Sequence, residues 1–178
     1  MQLPVSGEGV LAHIHLLYVG PLDEQHRVRD LAQAFLAARD HDARLHLLIA
    51  GEGSERAWLT RHLGHAATFF GRLEAAGLGE LAGGADLLVC PTTGADTADT
   101  ILAAQRGGVA VLAVDGGEAA ALIENGRSGF LVPDAAVALT DAIRWLSRRA
   151  TLRERLATGG LLAHGERLPS GRERIMRA

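Results

Sequence analysis

The sequence contains no lysine; every one of its 18 basic residues is arginine. It therefore has no side-chain amine to form a Schiff base or to grip a phosphate as a compact ammonium. Cysteine is almost missing too, and the single Cys90 excludes an internal disulfide and any cysteine-rich zinc site. Its setting, LLVCP, reads as the end of a buried strand, so packing rather than thiol chemistry is expected of it. No apolar run approaches the roughly eighteen residues of a membrane span. The opening MQLPVSGEGVLAHIH has neither a basic start nor a long apolar stretch, so no membrane span and a cytoplasmic location are expected. Basic excess is absent as well: the net charge is −3, and nucleic acid is not an expected partner.

What is present is enough apolar material for one proper core. The chain has 178 residues, 48% of them hydrophobic and 22% charged, with 22 glycines. One domain spanning 1–178 is expected, with its core at about 13–164 and a loose polar tail at 165–178. Short leucine-rich or β-branched runs alternate with segments of helical period, the pattern of a parallel sheet covered by helices on both faces. Strands are predicted at 15–19, 45–50, 67–70, 86–90, 109–114 and 130–132. Helices are predicted at 28–38, 55–63, 78–81, 98–106, 118–123, 135–148 and 152–164, with Ser54 capping the second.

In such a sheet the loops that follow the strands gather at one edge, where ligands bind and helix N-termini present free amides. Here those loops are GPLDEQHR, GEGSE, FGRLE, PTTGADTAD and DGGE. Glycine near a strand end lets backbone amides approach an anion, although it also serves simply to turn the chain. There is no G-x-G-x-x-G at the first helix and no G-K-[ST], which disfavours an ordinary dinucleotide or ATP site.

The stretches LLYVGPLDEQHRVRDLAQAF, LHLLIAGEGSERAWL, FFGRL, LAGGADLLVCPTTG and LAAQRGGVAVLAVDGGEAAALIENGRSGFLVP, in that order and spacing, resemble one family. They look like the C-terminal, donor-binding domain of GT-B glycosyltransferases of the group 1 (family 4) kind. The similarity runs from about 16 to at least 156. The resemblance implies a Rossmann-like α/β domain that binds a nucleotide-diphosphate sugar. It also implies transfer of the sugar with retention, without a metal or other cofactor, once an acceptor-binding domain or chain is supplied. Carried onto this sequence, the donor-binding positions are Gly20, His26, Arg27, Gly51, Gly53, Gly71, Arg72, Asp96, Thr97 and Asp99.

Several positions depart from the family pattern. Its first loop reads Val-Gly-Arg-Leu and carries a lysine five residues beyond the arginine, and these cations hold the leaving diphosphate. The corresponding residues here are Pro21 and His26, with Arg27 beside the latter as a substitute cation. Proline offers neither charge nor amide, and histidine is only partly charged near neutrality. The family's glutamates, one for the sugar and one for the ribose, fall on Ala95 and Ala103. Asp96 and Asp99 flank the first of these, and two roles stay open for them: reaching a sugar hydroxyl, or capping and charging the start of the helix. A degenerate domain that serves as a partner-binding or scaffold module is therefore the alternative to a donor domain.

Other chemistries find less support. His13 and His15 alternate along a strand and share a face, but no acidic or cysteine companions make them a metal site, and none is expected elsewhere. No serine sits in a G-x-S-x-G elbow. The run RRATLRER at 148–155 reads as a solvated helix face.

Overall fold

The computed structural model describes residues 12–94 and 96–163. The C-terminal tail at 165–178, the predicted last helical residue at 164 and Ala95 lie outside the described residues. The chain forms one six-stranded, wholly parallel sheet in the order β3-β2-β1-β4-β5-β6. Its strands are β1 (Ile14–Val19), β2 (Leu45–Ala50), β3 (Ala67–Gly71), β4 (Leu87–Cys90), β5 (Ala110–Val114) and β6 (Phe130–Val132). The helices are α1 (Val28–Arg39), α2 (Arg56–Leu63), α3 (Ala75–Gly83), α4 (Thr97–Arg106), α5 (Gly117–Leu122), α6 (Ala136–Ser147) and α7 (Ala150–Ala163). Strand order turns back between β1 and β4, which makes the gap between their carboxyl ends the topological switch point where such sheets take ligands.

Both faces of the sheet are covered, which is why its central strands are almost unbroken in apolar character. Ile14, Leu16 and Tyr18 of β1 point into one core with Val28, Leu31 and Phe35 of α1, Leu59 of α2, and Leu139, Ile143 and Leu146 of α6. Leu17 points the other way, into a second core with Leu81 of α3, Ile101 of α4 and Ala119 of α5. Cys90 is buried, and burial pushes its thiol up to about 12, as suits a packing residue.

The predicted alternation is the observed one, but local details differ. Helix α3 is longer than predicted, running Ala75–Gly83 instead of 78–81. Ser54 does not cap α2; Glu55 occupies that position without a side-chain cap, and its amide is taken by the Leu22 carbonyl at 2.8 Å. That main-chain bond serves one of the amides at the start of the helix without a side chain. The 148–155 run is not a uniformly solvated face either. Arg153 is buried, and its Nη1 donates to the Leu146 and Ser147 carbonyls at 2.8 and 2.6 Å.

At the amino edge of the sheet His46 joins the predicted His13 and His15 pair, with ring centroids 5.6–6.0 Å apart. No group of three or more His, Cys, Asp or Glu side chains among the described residues is placed to hold a metal. Burial, followed by the neighbouring His15 and His13, lowers His46 to about 4; burial also lowers His15, against the opposing pull of Asp86. The folded chain thus keeps His46 neutral while the unfolded chain takes up a proton from about pH 6.5 downwards. Stability from this source is complete above pH 6.5 and is lost as the pH falls towards 4. For a half-exposed ring the loss is on the order of 1–2 kcal/mol after solvent screening. Thermal unfolding at pH 7.5 and pH 5 should show it, and His46→Gln should flatten the difference. An undiminished difference in that variant would place the acid sensitivity elsewhere.

Candidate functional site

The carboxyl edge of the sheet is built from loops that are sewn together through their main chains. Gly20 N donates to Ala50 O at 3.0 Å, Leu22 N to Glu52 O at 2.9 Å, and Gly51 N to Gly71 O at 2.8 Å. This seam leaves no room for side chains at two glycines. A Cβ at Gly51 would lie 1.9 Å from the Gly20 carbonyl oxygen, and one at Gly53 would lie 2.2 Å from that of Leu22. The approach of one loop to the next therefore accounts for both residues. Gly20 lies beside the Tyr18 hydroxyl and Gly71 beside the Glu52 carboxylate.

Between the ends of β1 and β4 lies a cleft of about 20 Å³. Tyr18, Gly20, Pro21 and His26 line one wall, and Cys90, Pro91, Thr92, Asp96, Thr97 and Thr100 line the other. Such a volume holds little more than one water. Pro21 turns its carbonyl to the Tyr18 hydroxyl, which donates to it at 2.8 Å. Burial above all holds that phenol protonated, well above its usual range.

His26 crosses the mouth of the cleft. Its Nδ1 lies 2.6 Å from Asp23 and its Nε2 lies 3.4 Å from Asp96. Partial burial pulls the imidazolium down, but the hydrogen bonds to Asp23 and Asp96 outweigh it and leave His26 above its ordinary value. Asp23 is held low in turn by its bond to the ring. Asp96 stands at the start of α4 but makes no side-chain cap, which corrects the capping role considered for it; Asp99 does lie in the first turn. The Asp96 carboxylate is 77% exposed and turned towards His26.

Arg27 is not a spare cation. Its Nε donates to Asp30 at 2.9 Å and its Nη1 to Asp134 at the start of the β6–α6 connection. It is also the one non-glycine residue with positive φ, 52°, among the described residues. Arg29 and Arg56 are likewise held, by Glu55 and Glu52. Arg72, exposed after β3, has no side-chain partner among the described residues. Ala103 is exposed on α4.

The structure thus brings Gly20, His26, Asp96 and Thr97 to one cleft and sets Gly51, Gly53 and Gly71 along the adjoining seam. Arg27 is turned towards Asp134, and Arg72 stands apart on the next loop. Sequence reasoning missed Asp23, Tyr18 and Asp134. Asp23 had a local signal, an aspartate three residues before a histidine in a turn. Asp134 had none, because its partner is 107 residues away.

Residues 13–149 match the family model described as glycosyl transferases group 1. No curated protein sequence matches the chain. Among solved structures, S. aureus TarM, crystallised as a variant with fondaparinux, alpha-GlcNAc-glycerol and UDP, superposes with a TM-score of 0.75 at 14% identity, over 99% of this chain and 37% of that one. Anabaena Alr3699/HepE in complex with UDP and glucose gives 0.75 at 19% identity, over 86% and 44%. The C-terminal domain of LpcC, a group 1 family protein from Francisella tularensis, gives 0.77 at 16% identity, over 86% and 85%. The chain therefore spans about two-fifths of the first two proteins and nearly all of an isolated C-terminal domain.

Proposed function

The chain belongs to the group 1 glycosyl transferase family, and from that membership we propose that it is a donor-side domain binding a nucleoside diphosphate sugar at the carboxyl edge of its sheet. The observation that supports this reading is the convergence of Gly20, His26, Asp96 and Thr97 at the topological switch point between the carboxyl ends of β1 and β4. Transfer, with retention and without a metal, requires an acceptor-binding half that encloses the sugar and excludes water. No helix among the described residues is long and apolar enough to cross a membrane.

A specific observation favours a second reading, a partner-binding module without transfer chemistry. Arg27 is neutralised by Asp30 and Asp134, and Asp96 sets an exposed carboxylate against His26 at the mouth of the cleft, where it would repel an anion. Calorimetry with UDP, GDP and ADP separates the two. A donor domain should bind at least one of them, and Arg72→Ala should weaken that binding roughly tenfold, the loss of one charge-assisted contact. Absence of heat with all three nucleotides would leave the partner-binding module.

A further inference from the structure

At the amino ends of β4 and β5, on the opposite edge of the sheet from the switch-point cleft, a cavity of about 170 Å³ lies beside α7. Its walls are built from small residues. Ala85 precedes β4, Gly108 and Ala110 bracket the start of β5, and Ala157 faces them from α7. A cavity of that order takes a molecule of about six non-hydrogen atoms. Three charged side chains line the same space: Arg153 and Glu154 near the start of α7, and Asp86 ahead of β4.

Arg153 is only 8% exposed, and its guanidinium is only half used. Nη1 is spent on the Leu146 and Ser147 carbonyls. Nε is buried with no hydrogen-bond partner among the described residues, and Nη2 has only the 3.6 Å contact with Asp86 Oδ1. Nε and Nη2 lie along one side of the guanidinium and donate in parallel, the fork that matches a carboxylate. The chain fills this fork elsewhere: Arg44 sets it on Asp42 at 2.9 and 2.7 Å, and Arg29 on Glu55 at 2.6 and 3.1 Å. At Arg153 it stands open, and a buried donor without an acceptor costs stability. Asp86 does not close on it, because its Oδ2 is held by the His15 amide at 2.9 Å.

A simple anion on that fork would also meet two carboxylates. Glu154 is exposed and has no partner among the described residues, and Asp86 is 37% exposed. One guanidinium fork beside two carboxylates, in a space of this size, matches a molecule that carries both charges a few bonds apart. We propose that the cavity binds a small α-amino acid, with its carboxylate on the Nε–Nη2 fork of Arg153 and its ammonium between Asp86 and Glu154. The alanine and glycine walls leave room for a side chain of about one or two atoms. This site stands apart from the candidate donor cleft and does not depend on how that cleft is read.

The test is a proton–nitrogen NMR titration of the full chain with L-alanine, acetate and ethylamine, followed at the Arg153 Nε–H and at the Gly108 and Ala150 amides. L-Alanine should move all three signals saturably. Acetate and ethylamine each lack one of the two charged contacts and should bind at least roughly tenfold more weakly. Glu154→Gln changes an exposed side chain without a partner among the described residues, so it should fold normally and weaken L-alanine binding roughly tenfold. Ala157→Leu fills the cavity and should abolish the shifts, with a circular dichroism melt to confirm its fold. No saturable shift with L-alanine overturns the proposal, the cavity then holding water alone. Acetate binding as tightly as L-alanine overturns the amino-acid assignment. L-Alanine affinity unchanged in Glu154→Gln and Ala157→Leu would place the ligand elsewhere on the chain.

Discussion

Replacing Arg153 with alanine is expected to destabilise the fold by about 3 kcal/mol, the sum of two lost charge-assisted bonds and a Ser147 carbonyl left without its donor, since the Leu146 carbonyl keeps the Arg149 amide. The melting temperature of a chain this size should drop by roughly 6–12 °C. Helix α6 ends at Ser147, and its final carbonyls have no partner within the helix. The Arg153 guanidinium answers two of them, Leu146 and Ser147, while its Nη2 lies 3.6 Å from Asp86. Asp86 in turn accepts from the His15 amide at 2.9 Å, so the arginine ties the α6–α7 junction to the amino edge of the sheet. A neighbouring cavity of about 170 Å³, lined by Ala85, Gly108, Ala110 and Ala157, would grow into the vacated space. Arg155→Ala, two residues away and exposed, should stay within about 0.5 kcal/mol. Equal melting temperatures for the two variants would remove the structural role assigned to Arg153.

Gly53→Ala is the second large effect, again about 3 kcal/mol, because an added methyl would meet main chain rather than a yielding side chain. Its Cβ would lie 2.2, 2.6 and 2.8 Å from the O, C and N atoms of Leu22, a residue with no exposed surface. Relief requires the first loop to move off the second, breaking the bonds from Leu22 N to Glu52 O and from Glu55 N to Leu22 O. The nucleotide binding proposed for this edge should be lost along with stability, since the loop that carries His26 is displaced. Gly79→Ala, with open space around the added methyl, provides the control and should be neutral or slightly stabilising. A chemical denaturation curve for Gly53→Ala that overlays the wild type would show that the seam is looser than its distances imply.

These two residues also mark what could be read from the chain before its structure. The alternation of elements was legible because the strands are apolar apart from His15, His46 and Thr68, and the helices carry apolar residues at helical spacing, as in Val28, Leu31 and Phe35 of α1. The glycines of the carboxyl edge were legible as a group, but their reason was not: Gly51 and Gly53 answer to a neighbouring loop that only folding brings near. Arg153 read as solvated because nothing local distinguishes it from Arg148 or Arg155. Its burial follows from the turn between α6 and α7, which points it back at the preceding helix end. In the candidate site the ordered stretches located the edge, and Pro21 and His26 were visible as departures. The pairings His26 with Asp96 and Arg27 with Asp134 span 70 and 107 residues, so no local pattern announced them.

The main-chain seam has a consequence for how such a domain diverges. Gly20, Leu22, Gly51 and Glu55 are joined by amides and carbonyls that every residue carries, so exposed side chains at the mouth of the cleft contribute little to holding the loops. Under the proposed function, substitutions at His26, Arg72 or Asp96 would change recognition while the melting temperature barely moves. Stability and specificity are then inherited separately, and a screen that follows folding alone would pass over every change that matters to what the cleft holds.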